Sequence, residues 1–486
     1  MKKLFYLFVS GLVLWSCSDK DDDAFVPKPS ENLEVQDFVW KALNLWYYWQ
    51  GDVADLSDTR FSSNQEYRDF LSNYSDPEAL FEHLKYNRSE SDRDRFSWIV
   101  EDYNELVNSQ QGIYKTNGVE FGLSKYSNSD DVFGYVRYIL PNSDASTKNI
   151  RRGDVFVAVN GTTLTVDNYS ELLFGQNDTY TLNMGDVENN TISPNGEEVT
   201  LTKHEYTEDP VYLYDVFTIG SHKIGYLVYN GFTASFDNTL NDVFSDFKSQ
   251  GVTDLVLDLR YNPGGSVNSA LQLSSMITGQ FTGELFIKQR YNEKLQSQFS
   301  KSDLEDYFPD ELSDGTAINS LGLNKVYVLA LESSASASEL VMNGLAPYID
   351  VIHIGSETTG KNEFSITLVD APEYNYIYNE SRKNAINPNN SWGMQPLIGR
   401  SENADGFSDY TEGLIPDIEL YEDLENMGIL GSTNEPLLAR AIQEITGVSA
   451  RLAKTGPGMS IEILTDSKRF TPMKDNMYIT PKDPEE

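Results

Sequence analysis

Cysteine and histidine are scarce in this 486-residue chain, which contains one cysteine and four histidines. A single cysteine excludes an intramolecular disulfide. The four histidines form neither an HExxH motif nor a close pair, so we do not expect a histidine-rich zinc site. A G-x-S-x-G nucleophile elbow and a Walker A loop are also missing. The sequence therefore predicts no metal and no cofactor. The histidines are His83, His204, His222 and His353.

Positive charge is scarce as well. The chain has 37 lysines and arginines against 75 aspartates and glutamates, a formal net charge of −38. Nucleic-acid binding requires cationic side chains that neutralise phosphates, so we expect no nucleic-acid partner. The acidic excess indicates a well-solvated surface, and the length allows two or three domains with cores of their own.

A long apolar run occurs only at the N-terminus, in "MKKLFYLFVSGLVLWSC". Two lysines followed by a short apolar run are typical of a secretory signal, and the run is too short to span a bilayer comfortably. It resembles a bacterial lipoprotein signal, with Leu14 three residues before Cys17 and Ser16 directly before it. Trp15 departs from the small residue usual in that slot. A plain signal peptide with an incidental cysteine is the alternative to lipidation of Cys17.

The segment after Cys17, "SDKDDD", resembles the acidic start of surface-exposed lipoproteins of Bacteroidetes-type bacteria. A solvated linker explains the same residues and is compatible with that interpretation. We therefore expect a location in the cell envelope, lipid-anchored to the outer membrane, with the side of that membrane left open. Contact with the membrane is expected only through the N-terminal lipid.

Hydrophobic periodicity predicts a multidomain fold. A helical stripe begins at Val35, short strands with Gly, Asn and Asp turns follow, and apolar strands then alternate with helices, which favours a largely parallel α/β sheet. The predicted parts are a signal peptide (1–17), a tether (18–34), a helical N-terminal domain (35–103), a β-rich domain (104–205), an α/β domain (206–446), and a C-terminal strand and tail (447–486).

The β-rich region resembles a PDZ domain. In such domains loop amides hold a peptide's terminal carboxylate while the peptide adds a strand to the sheet. The resemblance implies that Phe121, Gly122 and Leu123 bind a substrate's C-terminus. A small barrel whose glycines merely make turns is the alternative. The residues that carry the resemblance are Phe121-Gly122-Leu123, Arg152-Gly153-Asp154 and Asn160-Gly161.

A serine cluster, "ESSASASEL", joins an apolar strand to a predicted helix. A nucleophile at such a turn would have an exposed Oγ near the positive end of the helix dipole. Ser336 and Glu339 also have the S-x-x-E spacing of a capping box, and on these residues alone a cap is favoured over a nucleophile.

Two further segments follow predicted buried strands. Asn262-Pro263-Gly264-Gly265 could expose backbone N–H groups to an oxyanion, or simply form a tight turn. Lys361 follows "GSETTG" and, in the absence of a suitable histidine, is a candidate base for a serine. An ordinary surface lysine is the alternative.

Together these segments resemble the C-terminal processing (tail-specific) peptidase family, in which a PDZ domain precedes a Ser–Lys protease domain of the α/β crotonase-like ββα fold. The resemblance spans about residues 104 to 446. It implies that Ser336 is the nucleophile and Lys361 the general base. It also implies an oxyanion hole formed by amides near Gly264, Gly265 and Ala337.

Two positions depart from the family pattern. Ser365 stands where many members carry glutamine, and Pro347 where some carry aspartate. Ser365 is therefore only a candidate for orienting Lys361. The resemblance implies a cell-envelope serine endopeptidase acting on proteins or peptides, which it recognises by their C-terminal tails. The alternative is a non-catalytic peptide-binding lipoprotein with a degenerate peptidase fold. The sequence does not predict the oligomeric state.

Overall fold

The computed structural model describes residues 28–89, 92–448 and 461–480. The predicted signal peptide, Cys17 and the tether up to residue 27 lie outside these residues, as do residues 449–460 and 481–486 of the predicted C-terminal segment. Across the described ranges, no helix is both long enough and apolar enough to cross a membrane.

The N-terminal region consists of short helices with an aromatic core. Helix α1 buries Phe38, Ala42 and Trp46, which recur every four residues along one face. The start of α3 is set by Asp76, which accepts a hydrogen bond from the Glu78 N–H, and by Pro77 in the first turn. The elements are α1 (Glu34–Trp46), α2 (Asn64–Ser72), α3 (Pro77–Leu84), β1 (Asn87–Ser89), β2 (Asp92–Arg93), β3 (Trp98–Val100) and α4 (Tyr103–Gln110).

The second region is β-rich. Its main sheet has the strand order β10-β9-β7-β6-β5, with β8 paired to β7, while β4 and β11 pair separately. The neighbouring strands of the main sheet are antiparallel. The elements are β4 (Ile113–Thr116), β5 (Val119–Lys125), β6 (Val132–Ile139), β7 (Val155–Val159), β8 (Thr162–Thr163), α5 (Tyr169–Phe174), β9 (Thr179–Glu188), β10 (Thr191–Thr202) and β11 (His204–Thr207).

The third region is built on a six-stranded sheet in the order β12-β13-β14-β18-β19-β24, parallel from β13 onward. Its inner strands β14 and β18 are almost wholly buried, as expected for a parallel sheet covered on both faces. Its elements are β12 (Val211–Ile219), β13 (His222–Tyr229), α6 (Asp237–Gln250), β14 (Asp254–Asp258), β15 (Gly265–Ser266), α7 (Val267–Ile277), β16 (Leu285–Tyr291), α8 (Glu293–Gln296), α9 (Lys301–Leu304), β17 (Glu305–Tyr307), β18 (Lys325–Ala330), α10 (Ala337–Leu345), β19 (Asp350–Gly355), β20 (Glu363–Ser365), β21 (Leu368–Val369), β22 (Gly393–Gln395), β23 (Leu397–Asn403), β24 (Ile418–Glu419) and α11 (Pro436–Thr446).

The described C-terminal residues form two strands that enter two different sheets. Strand β25 (Ile463–Asp466) extends the β-rich sheet beyond β5. Strand β26 (Met477–Tyr478) lies between β15 and β20 in a second six-stranded sheet of the third region. Residues 461–480 therefore bridge the second and third regions.

One hydrophobic core joins the helical N-terminal region to the third region. It contains Phe38 and Trp46 of α1 together with Phe286 of β16 and Phe364 of β20. The β-rich region has a separate core around Phe121 and Phe156. The helices therefore share their apolar interior with the third region.

Candidate active site

The parallel sheet brings the glycine, serine and lysine segments to one edge. They follow β14, β18 and β19, which are adjacent and parallel, so their carboxyl ends lie side by side. Hydrogen bonds join the loops. The Ser334 hydroxyl donates to the Leu259 carbonyl at 2.8 Å, and the Thr359 N–H donates to the Ser334 carbonyl at 3.0 Å.

Ser336 is the residue directly before α10. Its backbone has φ 65° and ψ −116°, a conformation that costs energy for a residue with a Cβ. Its N–H donates to the Glu339 carboxylate at 2.7 Å, and the Glu339 N–H faces the Ser336 side chain in the predicted capping-box arrangement without completing a hydrogen bond to the Oγ. The Ser336 Oγ is buried and has no hydrogen-bond partner among the residues that the structure describes. Strained backbone and an unpaired buried hydroxyl are typical of functional sites.

The other serines of the cluster are paired. The Ser333 hydroxyl donates to Asp466 at 3.0 Å, and the Ser338 hydroxyl donates to the Asn262 carbonyl at 3.0 Å. Ser334 bonds to the Leu259 carbonyl, as above, and accepts the Leu331 N–H at 2.9 Å. These three hydroxyls hold the turn together, which leaves Ser336 as the member of the cluster available for chemistry.

Lys361 is completely buried. Burial lowers the pKa of its amine to about 8, although the nearby carboxylates of Asp475 and Glu363 oppose the shift. Its Nζ donates to the Asp475 carbonyl at 2.5 Å and lies 5.0 Å from the centre of the Phe96 ring. The amine makes no hydrogen bond to the Ser336 Oγ within the described chain. A neutral amine is therefore accessible near neutral pH, although it is directed at Asp475 in this conformation.

Glu339 connects the serine and the lysine. Its carboxylate accepts the N–H of Ser336 at 2.7 Å, of Lys361 at 2.9 Å and of Gly360 at 2.7 Å, and also the Thr358 hydroxyl at 2.5 Å. Burial raises the pKa of Glu339 to about 7, against the lowering effect of these donors. One buried carboxylate thus holds the two backbone segments in register.

The glycine loop lies against Ser336. A Cβ on Gly264 would come 2.6 Å from the Ser336 Cβ and 2.8 Å from its Oγ, so only glycine fits there. Gly264 and Gly265 have φ values of 111° and 135°, which favour glycine as well. The Gly264 N–H donates to the Asn262 Oδ1 at 2.9 Å. Ala337 is buried at the first position of α10.

Ser365 is directed at the C-terminal segment. Its hydroxyl donates to the Asn476 Oδ1 at 2.7 Å and accepts a hydrogen bond from the Gln395 amide at 3.0 Å. The Lys361 amine instead donates to the Asp475 carbonyl. In this conformation the Asp475 carbonyl orients the amine, and Ser365 takes part indirectly, by holding the neighbouring Asn476.

The residues predicted to bind a peptide C-terminus lie on β5. Gly122 and Leu123 are opposite Asp466 and Thr465 of β25, and the Phe121 N–H donates to the Ser467 hydroxyl at 3.0 Å. The edge of the sheet at these three residues is therefore covered by the chain's own C-terminal segment.

Sequence reasoning missed several residues of the site. The S-x-x-E spacing identified Glu339 as a capping residue but not as a partner of Lys361. No local pattern marked Phe96, Asp475 or Asn476. The Arg95 guanidinium donates to the Gly360 carbonyl at 2.6 Å, so the N-terminal region also supports the loop that carries Lys361.

A cavity of about 920 Å³ lies beside the site. It is lined by residues from all three regions and from the C-terminal segment, and both charge signs are present. Asp475, whose carbonyl accepts the Lys361 hydrogen bond, also lines this cavity. The lining includes Arg95, Phe96, Glu332, Thr358, Arg469 and Asp475.

Comparisons with known proteins agree with this architecture. Residues 223–419 match the model of peptidase family S41, and residues 34–98 match the peptidase S41 N-terminal domain. A solved structure of a Bacteroides fragilis protein assigned to the S41 proteases superposes with a TM-score of 0.64 at 26% identity, covering 85% of this chain and 97% of that one.

Curated relatives are more distant. The chloroplastic C-terminal processing peptidase of Tetradesmus obliquus is 24% identical over 61% of this chain and 60% of its own length. A probable CtpA-like serine protease of Staphylococcus aureus is 23% identical over 74% of this chain and 61% of its own length. The chain thus spans about three fifths of the length of these relatives. Two segments of this chain thus match models of peptidase family S41, and the relatives with a similar sequence are described as peptidases.

Proposed function

We propose that this chain is a cell-envelope serine endopeptidase in which Ser336 is the nucleophile and Lys361 the general base. The observation that carries the proposal is the contrast within the serine cluster. Within the part of the chain that the structure describes, the Ser336 hydroxyl is buried without a hydrogen-bond partner, whereas the hydroxyls of Ser333, Ser334 and Ser338 are paired. The Glu339 carboxylate that accepts the Ser336 N–H also accepts the N–H of Lys361, whose pKa is lowered.

The reaction requires the neutral lysine amine. Lys361 takes the proton of the Ser336 hydroxyl as the Oγ attacks the peptide carbonyl, and the resulting ammonium returns it to the leaving amine. Amides of the loop at Gly264 and Gly265 and of Ala337 would stabilise the oxyanion. Water then hydrolyses the acyl-enzyme. Lys361 takes a proton from the water as it attacks, and the ammonium returns that proton to the Ser336 Oγ. The Lys361 amine must first leave the Asp475 carbonyl, and the Gly264 amide must leave the Asn262 side chain if it is to contribute.

The substrates that we propose are proteins or peptides recognised by their C-terminal tails. The Phe121-Gly122-Leu123 segment supports this role, because among the described residues β5 pairs on its outer side only with a short strand of the chain's own C-terminal segment, and an extended peptide could take that place. The PDZ-like assignment of residues 104–205 belongs to the same proposal. The envelope location rests on the signal-like N-terminus and Cys17. Equal membrane fractionation of a Cys17→Ala variant and the unmodified protein would contradict lipid anchoring.

The test of the peptidase is cleavage of unstructured reporter peptides by the purified protein. Ser336→Ala should abolish cleavage, whereas Ser338→Ala, which changes a paired hydroxyl of the same turn, should retain most of it. Equal cleavage by Ser336→Ala and the unmodified protein would refute the assignment.

A non-catalytic peptide-binding protein is the second candidate. It is favoured by the engagement of the Lys361 amine with the Asp475 carbonyl and of the Gly264 N–H with Asn262. This candidate predicts peptide binding without turnover under all conditions, including conditions that release the C-terminal segment.

A further inference from the structure

The C-terminal residues 461–480 follow the path that a substrate would take under the proposed function. Strand β25 is antiparallel to β5, with Ile463 opposite Ser124 and Asp466 opposite Gly122. A peptide that binds by strand addition forms this kind of pairing at an open edge. The chain itself therefore occupies the predicted recognition edge.

Side chains of this segment also contact the apolar groups beside that edge. Leu464 packs against the core of the β-rich region. Phe470 stacks on Phe174 of α5 with the ring centroids 3.7 Å apart. Strand addition with apolar side chains seated on the domain is the pattern of a bound peptide.

Buried ion pairs hold the middle of the segment. Asp466 pairs with Arg137 at 3.0 Å, and Lys468 pairs with Glu208 at 2.7 Å. Displacing the segment would carry Asp466 and Lys468 into solvent and leave Arg137 and Glu208 buried without these partners, which is costly. The closed arrangement is therefore a stable resting state, and its opening requires a competing ligand.

The same segment then crosses the catalytic groups. The Asp475 carbonyl accepts the Lys361 amine at 2.5 Å. The Asn476 carbonyl oxygen lies 2.6 Å from the position that a Gly264 Cβ would take, and the Ser336 Oγ lies 2.8 Å from the same position. Met477 and Tyr478 continue as β26 between the glycine loop and β20. Backbone carbonyls of the tail thus fill the space among nucleophile, glycine loop and base.

We propose that residues 461–480 are a self-inhibitory strap that fills both the recognition edge of β5 and the catalytic cleft until a substrate C-terminus displaces it. The inhibition that we propose rests on the proposed peptidase function, but whether the segment covers β5 and the cleft can be tested separately. The cavity beside Asp475 is the space from which the incoming peptide would enter. Displacement would free the Lys361 amine from the Asp475 carbonyl and let it approach Ser336.

A reversible covalent lock tests the strap in the full-length chain. Ser124→Cys and Ile463→Cys are combined in a Cys17→Ser background, because directly opposed residues of antiparallel strands are about 4.5–5.5 Å apart at Cα, within the range of a disulfide. We expect the oxidised protein to cleave a reporter peptide at least about tenfold more slowly than the same protein after reduction, since the lock removes the open state. The two single-cysteine variants should show no redox effect. Equal rates in the oxidised and reduced double variant would overturn the proposal.

A second readout does not depend on peptide cleavage. The Ser336→Ala form of the double-cysteine protein is mixed with a heavy-isotope synthetic peptide of residues 461–480, at roughly millimolar concentration to compete with the tethered copy. Hydrogen exchange of the protein's own residues 461–466 should accelerate in the reduced form and stay slow in the oxidised form. The same exchange in both forms would refute the strap. A redox-dependent difference without cleavage by the Ser336-containing protein would support the strap and refute the peptidase.

A milder variant loosens the strap. Phe470→Ala removes the stacking on Phe174 from a side chain that is 38% exposed, so folding should survive. Loss of about 1 kcal/mol of aromatic contact should raise reporter cleavage about fivefold by populating the open state. Tyr214→Ala removes another exposed aromatic, which packs on Phe247 away from the segment, and should leave cleavage unchanged. Unchanged or slower cleavage by a folded Phe470→Ala variant would contradict the proposal.

Discussion

The third region buries polar groups in two opposite ways. At Arg260, the guanidinium pairs with Asp258 at 2.8 Å and with Glu435 at 2.7 Å, so each charge has a partner. At Ser336 and Lys361, the described residues offer the hydroxyl no hydrogen-bond partner, and they hold the ammonium through one carbonyl. Both sites are almost inaccessible to solvent. Their difference is therefore in pairing and not in burial.

The pKa values reflect this difference. Burial opposes the ionisation of Glu422, but Arg152 and Arg260 outweigh it and lower its pKa to about 2. Burial of Lys361 is not outweighed, and its pKa falls to about 8. Charges that are paired stay charged and stabilise the fold, whereas a weakly paired amine loses its proton easily and is suited to proton transfer. Incomplete pairing therefore distinguishes the proposed active site from the Arg260 cluster.

The largest effect should come from Lys361→Met. Methionine fills the space but cannot take a proton, so cleavage should fall by about 10³–10⁴-fold, similar to Ser336→Ala and not additive with it. Stability at pH 7 should rise by roughly 1–3 kcal/mol, since a buried amine that prefers to be neutral is removed. Steady-state kinetics and urea unfolding measure the two quantities. A stable variant that keeps a tenth or more of the activity would contradict the role of Lys361.

Arg260→Met should mainly affect stability. It leaves Asp258 and Glu435 buried without their cation, so the free energy of unfolding should fall by about 3–5 kcal/mol. The matched control is Arg290→Met, which breaks an exposed pair with Glu402 and should cost about 0–1 kcal/mol. Chemical denaturation of both variants gives the comparison. Equal losses would show that pairing in the interior is not what stabilises this region.

The pH dependence should separate the two sites as well. Cleavage should rise about tenfold per pH unit below pH 8 and level off above it, because only neutral Lys361 accepts the serine proton. The folded pKa of Lys361 is below the value of about 10.4 in an unfolded chain, so the unfolded state binds more protons between these values. The contribution of Lys361 to stability should therefore rise with pH from about 8 to 10.4 and vanish in Lys361→Met. A flat cleavage profile from pH 6 to 8 would argue against this base.

The smallest effects on stability should appear within the serine turn. Ser336→Gly relieves the positive-φ backbone and should stabilise the protein by about 1 kcal/mol while it abolishes cleavage. Ser338→Ala removes the hydrogen bond to the Asn262 carbonyl and should destabilise by about 1 kcal/mol with little loss of cleavage. Thermal unfolding combined with the peptide assay detects these opposite signs. If both substitutions stabilised the protein, the hydrogen bond of the Ser338 hydroxyl would contribute no more to stability than the unpaired Ser336 hydroxyl does.

The sequence by itself determined the residues that the structure gathers at one sheet edge. Local sequence patterns predict the order of apolar strands and helices. They also identify the glycines at 264 and 265, the serine turn and Lys361. The family assignment came from the resemblance of these segments in combination. The local sequence cannot tell whether Ser336 is a helix cap or a nucleophile, because S-x-x-E spacing favours a helix start in either case.

Only the tertiary structure decided which serine is unpaired and what faces the lysine. The partners of Ser333, Ser334 and Ser338 come from Asp466, Leu259 and Asn262, at least 75 residues away in the chain. Lys361 meets the Asp475 carbonyl across 114 residues. Such contacts depend on how sheets and strands assemble, and a backbone carbonyl carries no sequence signature. The position of residues 461–480 over β5 and beside Ser336 and Lys361 could therefore not be predicted from the sequence, because a strand pairs with whichever sheet edge the folded chain leaves open.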